Sequence, residues 1–180
     1  MNKTQEITST KLLTGVAAPE LEVATLAGQV WRLSEQKPQN YTMLVFYRGL
    51  HCPFCQAQLV ELDQKLEKFA DLGIEVIAIS GDSLERARQS QSDWGLKNLL
   101  VGYDLPEAAM RRWGLYLSHG AFANEPKLFS EPATFLIKPC GTIAFSIIGN
   151  TPFVRPHLDD LLSGLDYILQ NNYPIRGNVA

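Results

Sequence analysis

Two apolar runs of strand length, Tyr41–Tyr47 (YTMLVFY) and Ile74–Ser80 (IEVIAIS), stand on either side of a segment in which Leu59, Leu62, Leu66 and Phe69 recur at helical spacing. Such runs suit strands covered on both faces, and a helix joining two of them makes a β-α-β unit. Leu72-Gly73 gives the helix its stop. The alternation extends in both directions. In ELEVATLAGQVWRL a period-two pattern broken at Ala27-Gly28 predicts a hairpin from Leu21 to Leu33. Ser83 is placed to cap the helix LERARQSQSDWG, NLLVGYD (98–104) reads as a third, weaker strand, and PEAAMRRWG opens on a proline and stops at Gly114. Leu115 to Glu131 reads as irregular. Then ATFLIK, the turn Pro139-Cys140-Gly141 and TIAFSII form an antiparallel hairpin, and HLDDLLSGLDYILQ closes the chain as an amphipathic helix. This order predicts an α/β fold, a mixed-sheet sandwich with an N-terminal β-hairpin.

At 180 residues with 46% apolar and 19% charged types, the chain is expected to form one domain (1–180), with short polar tails at 1–14 and 174–180. A net charge of −3, with lysines and arginines scattered, offers no basic stripe for nucleic acid and no polybasic membrane patch, so neither partner is expected. The opening MNKTQEITSTKLLTG lacks an apolar core of signal-peptide length, and no run approaches the roughly 20 apolar residues of a membrane span. A cytoplasmic protein is the expectation.

Three cysteines do not make the dense disulfide framework of small secreted domains, so the close pair in YRGLHCPFC, Cys52 and Cys55, reads as catalytic or metal-binding. If the helix begins at or just after Cys52, with Pro53 shaping its first turn, the Cys52 sulfur meets unpaired N–H groups and the positive end of the helix dipole. A thiolate is stabilised there, so Cys52 is the candidate nucleophile. Cys55, nearly one helical turn on and expected to be the more buried, is close enough to attack an oxidised Cys52, which makes it the resolving thiol. The other readings are half a zinc knuckle and a pair of core thiols. No second C-x-x-C or H-x-x-x-H completes a metal site, and Cys140, His51, His119 and His157 are scattered, so neither metal nor cofactor is expected. Cys140 itself reads as an exposed turn residue without a catalytic duty.

The order strand, C-P-F-C at a helix start, helix, strand, then a proline before a hairpin and a final helix resembles the thioredoxin fold. FYRGLHCPFCQAQL, RRWGLYLS, FSEPATFLIKPCGTI and PFVRPHLDDLL resemble the peroxiredoxin-like members of the alkyl hydroperoxide reductase and thiol-specific antioxidant superfamily, over about Gly15 to Arg176. The resemblance implies a thiol-dependent peroxidase acting on hydrogen peroxide or organic hydroperoxides. A thioredoxin-like dithiol–disulfide oxidoreductase and a non-enzymatic redox sensor are the alternatives. It implies a peroxide substrate and a dithiol reductant such as a thioredoxin, a glutaredoxin or glutathione, and it allows a homodimer. By the same resemblance Glu131-Pro132 is a cis bond packed against the thiols, and the loop of Arg155 approaches the active-site end of the sheet. Arg48, four residues before Cys52, and Arg155 are the candidate cations, able to favour a thiolate and to hydrogen-bond a peroxide oxygen. His51 adjoins Cys52 and either lowers its pKa as a cation or, as preferred here, faces solvent. The family places Thr or Ser three residues before its nucleophile and Pro seven before it, where this chain has Gly49 and Val45, and Ser130-Glu131-Pro132 stands where an arginine is usual. The substrate-binding candidates are thus Gly49, His51, Glu131 and Pro132.

Overall fold

A computed structural model of the chain describes residues 12–179. Its centre is β3 (Tyr41–Phe46), whose residues are all buried and alternate between two cores. Tyr41, Met43 and Val45 face one core, shared with α1 (Pro53–Asp71), with Trp94 at the end of α2 (Leu84–Trp94), and with Leu158, Leu161 and Leu165 of α4 (Leu158–Asn171). Leu44 and Phe46 face the other, shared with Ala109 and Met110 of α3 (Glu107–Arg112) and with Trp113. The continuous apolar run is therefore a strand with a helical layer on each side, as its composition requires.

β3 pairs in parallel with β4 (Ile74–Ile79), and β4 in parallel with β5 (Leu100–Tyr103). On its other edge β3 is antiparallel to β8 (Ala133–Ile137), which is antiparallel to β9 (Ile143–Ile148). The N-terminal hairpin of β1 (Glu22–Thr25) and β2 (Val30–Arg32) attaches through β1 to β5, giving a seven-stranded sheet in the order β2-β1-β5-β4-β3-β8-β9. This is the mixed α/β sandwich expected, with the hairpin extension in place. Local chemistry sets the helix ends: Ser83 accepts the Arg86 N–H at the start of α2, and Gly95 closes it in the left-handed conformation.

The stretch expected to be irregular holds a small second sheet, β6 (Leu117–His119) paired with β7 (Leu128–Ser130). Each strand has three residues, too few for a period-two signal to stand out. Its connecting loop folds back toward the end of β3. At the opposite end of the molecule, Thr14 bonds the Arg176 carbonyl, and Gly15 N–H donates to Ile143, so part of each expected tail is held against the sheet; residues 1–11 and 180 lie outside the described residues.

Candidate active site

Where β3 ends, the chain makes a tight turn before α1. Tyr47 N–H still bonds the Ile79 carbonyl, Gly49 takes φ +126°, and Cys52 N–H donates to the Gly49 carbonyl at 3.1 Å. Cys52 is the N-cap of α1, with Pro53 next to it, and its sulfur accepts the Cys55 N–H at 3.3 Å. The start predicted from C-P-F-C is thus realised, and the sulfur sits on the positive end of a 19-residue helix.

Arg155 comes from the segment between the edge strand β9 and α4, which packs on the same face of the sheet as α1. Its Nη2 lies 3.1 Å from Cys55 Sγ and 3.7 Å from Cys52 Sγ, so one guanidinium spans both thiols. Its Nε bonds the Pro152 carbonyl at 3.0 Å and its Nη1 contacts Gln58 on α1. These anchors fix the fork over the sulfurs. Cys52 is held down to about 6, first by the hydrogen bond from the Cys55 thiol, then by the Cys55 amide and the Arg155 charge, against the opposing effect of burial. Cys55 is pushed up, first by burial and next by its role as donor to Cys52. The two thiols are thus driven in opposite directions, Cys52 toward the thiolate and Cys55 toward the protonated form. Neither residue is exposed to solvent, and Cys55 is the more deeply buried of the two, as expected. Phe54 in the first turn of α1 and Phe153 in the Arg155 segment stack edge to face at 5.2 Å beside them.

The other candidates form a second cluster. Arg48 pairs with Glu125 and Glu131, each at 3.3 Å, and its guanidinium lies 4.6 Å from the Phe129 ring centre. Its effect on Cys52 is the smallest of those named. His51 does not face solvent: its side chain is 1% exposed, its ring lies 4.7 Å from that of Phe129, and Glu125 is 4.0 Å away. Burial and then the Arg48 charge lower its pKa, which disfavours the imidazolium that would assist Cys52. The preference for an exposed His51 fails because the β6–β7 loop, invisible to periodicity, closes over it.

Glu131 is also committed: its carboxylate accepts from Ser118 Oγ at 2.7 Å and pairs with Arg48. The Glu131–Pro132 bond is trans, against the cis expectation. Glu131 N–H is bound to the Tyr116 carbonyl at 2.8 Å and the Pro132 carbonyl receives Gly149 N–H at 2.9 Å, so β7 runs into β8 with both sides of the bond paired and the default isomer retained. Pro132 lines a narrow crevice with Arg155 and Gln58. Gly49 lies directly under the Asp82 carboxylate, where an added Cβ would come within 2.6 Å of an oxygen. Cys140 is exposed in its turn and free. Among the described residues no three His, Cys, Asp or Glu side chains are grouped to hold a metal ion. The sequence reading missed Gln58, Asp82, Glu125 and Phe129; only Asp82, just past an apolar strand that ends near the same sheet edge as Cys52, had a positional signal.

A pair of thiols of unlike acidity at the N-terminus of a helix, following the central strand of a thioredoxin-type sheet, fits a peroxiredoxin-like thiol oxidoreductase. The chain belongs to the AhpC/TSA family, whose model matches residues 14–146. It is similar to the thiol-disulfide oxidoreductase ResA of Bacillus cereus (strain ZK / E33L), 26% identical over 139 residues that cover 77% of this chain and 72% of that protein. In fold it is similar to a peroxiredoxin-like protein from Aquifex aeolicus, with a TM-score of 0.72 at 19% identity over 88% of this chain and 89% of that one. The peroxidoxin BcpB of Mycobacterium tuberculosis superposes with a TM-score of 0.71 at 19% identity, over 88% of this chain and 99% of that one. Among the described residues no helix is long and apolar enough to cross a membrane.

Proposed function

We propose that the protein is a thiol-dependent peroxidase that reduces hydrogen peroxide or organic hydroperoxides through Cys52 and Cys55. The observation that carries this reading is the state of Cys52, an N-cap sulfur held near pKa 6 and faced by the Arg155 guanidinium, hence a thiolate at neutral pH. The thiolate attacks one peroxide oxygen, the O–O bond breaks, and a proton from solvent completes the departing alcohol or water. Cys52 is oxidised by two electrons to a sulfenic acid. The Cys55 sulfur then attacks the sulfenic sulfur, forming the S–S bond, and the displaced hydroxide leaves with the Cys55 proton as water. Arg155, nearer to Cys55 than to Cys52, stabilises the second thiolate as it forms. A dithiol such as a thioredoxin or glutaredoxin, or two glutathione molecules, restores the pair by exchange and is itself oxidised to a disulfide. The proposed setting is the cytoplasm, where such reductants keep dithiols reduced.

Gly49 favours a second reading, dithiol–disulfide exchange, because it supplies no hydroxyl to a peroxide, and the Bacillus cereus relative carries that activity in its name. Stopped-flow oxidation of the reduced protein by hydrogen peroxide and by cumene hydroperoxide, set against reduction of a model disulfide, separates the two. A second-order rate constant on the order of 10⁴ M⁻¹s⁻¹ or more for either peroxide is expected. Peroxide oxidation no faster than that of a free thiol, beside efficient disulfide reduction, would replace the first reading by the second.

A further inference from the structure

The turn that delivers Cys52 to its helix is held from below by a residue on another element. Asp82 follows β4 and its side chain is completely buried. Its Oδ2 accepts the Leu50 N–H at 2.6 Å, its Oδ1 accepts from Arg86 Nε at 2.8 Å, and its own N–H donates to Ser80 Oγ at 3.3 Å. The Asp82 carbonyl takes the Asp104 N–H at 2.8 Å. Both carboxylate oxygens are thus directed, one into the turn and one to a surface arginine, while the backbone is tied on either side.

Beyond the side-chain anchors of Arg48 and His51, the turn has little to hold its backbone. Between Arg48 and Cys52 its internal bond is Cys52 N–H to Gly49, and the Leu50 amide points away from that bond into the carboxylate. Gly49 belongs to the same device. The three nearest atoms to a Cβ built there are the carboxyl atoms of Asp82, at 2.6 to 2.8 Å, and φ +126° is strained for any side chain. Glycine is what lets the carboxylate come up under the turn.

We infer that Asp82 is a positioning residue for the nucleophile: its carboxylate fixes the Gly49–Cys52 turn so that the Cys52 sulfur faces the Cys55 amide and Arg155. The role is geometric rather than electrostatic. As a charge, Asp82 opposes thiolate formation; as an acceptor for Leu50 N–H, it favours it by holding the sulfur where the donors are. These two actions have opposite signs, so they can be told apart. The inference rests on Cys52 being the reactive thiol and does not need peroxide to be the substrate.

The test is the pH dependence of Cys52 alkylation by iodoacetamide, in a Cys140→Ser background, for Asp82→Asn and Asp82→Glu. Asn keeps an oxygen for Leu50 N–H, loses the charge and gives up the Arg86 contact, which its NH2 cannot accept; Glu keeps the charge and is one methylene too long for the space beside Gly49. Positioning predicts an Asn midpoint within about 0.3 of the parent and a Glu midpoint raised by one unit or more, with alkylation at pH 6 slowed about fivefold or more. A charge role predicts the reverse: a lowered midpoint in Asn and no change in Glu. That result, or two midpoints equal to the parent's, overturns the inference. Amide hydrogen exchange in the unsubstituted protein needs no variant to fold. Leu50 N–H should exchange at least tenfold slower than an unprotected peptide, and exchange at the unprotected rate overturns the inference whatever the variants do. If the parent reacts with iodoacetamide near pH 6 but not with peroxide, the peroxidase reading fails and this one is still decided by the same data.

Discussion

Arg155→Met removes the one cation that touches both sulfurs and replaces it with an apolar chain of similar length. Arg155 Nη2 is 3.7 Å from Cys52 Sγ and 3.1 Å from Cys55 Sγ, distances at which a charge-assisted hydrogen bond contributes about 1.5–3 kcal/mol. Arg155 is only half-buried, so solvent screening places the Cys52 share toward the lower end, about 1.5 kcal/mol. Divided by 1.36 kcal/mol per unit, that is a rise of about one unit in the Cys52 midpoint. Because the folded pKa is depressed, the thiolate is present above its midpoint near 6 and is lost as pH falls through it. Raising that midpoint therefore costs reactivity at pH 6 to 7 and little at pH 9. Alkylation by iodoacetamide across that range measures the thiolate alone, and its rate should converge with the parent's at high pH. The peroxide rate constant should not converge: a residual loss of about tenfold at pH 9 is the part of the contact that acts on the developing charge in the transition state. An unchanged alkylation midpoint together with an unchanged peroxide rate would refute the assignment of Arg155 as the activating group.

Cys52→Ser should abolish peroxide turnover, and Cys55→Ser should consume one equivalent of peroxide and stop at a sulfenic acid that dimedone traps; the opposite pattern would exchange the two roles. Mild oxidation should yield a Cys52–Cys55 disulfide with Cys140 free, read by peptide mapping, because the paired thiols meet within one turn of helix while Cys140 is exposed on a distant turn. Gly49→Thr, which would restore the hydroxyl that the family usually carries there, should lower both the melting temperature and the peroxide rate, since its Cβ would stand 2.6 Å from Asp82 on a backbone at φ +126°. A faster Gly49→Thr enzyme would show that the turn has room the structure denies it.

The apolar run of β3, the helical period of α1 and the Pro53 after Cys52 are local statements, and each one produced its element at nearly the predicted residues. The C-x-x-C pair was legible for the same reason, since a helix start fixes the relation of its N-cap sulfur to the residue three positions on. The partners of that pair carried no local signal, and Arg155 was named through the family resemblance alone. Arg155 lies 103 positions from Cys52, and its approach depends on β8 and β9 pairing onto the edge of β3 and turning back toward α1. Asp82 reaches Leu50 across 32 positions because β4 lies parallel to β3 in a register that brings both strand ends to one edge of the sheet. The burial of His51 follows from the β6–β7 loop, whose three-residue strands carry no periodic signal. Local pattern sufficed for the longer elements and for placing the candidate nucleophile at a helix start, because those depend on neighbours along the chain. Which charges stand beside that nucleophile was decided by strand order and register, which bring together residues that no local pattern relates.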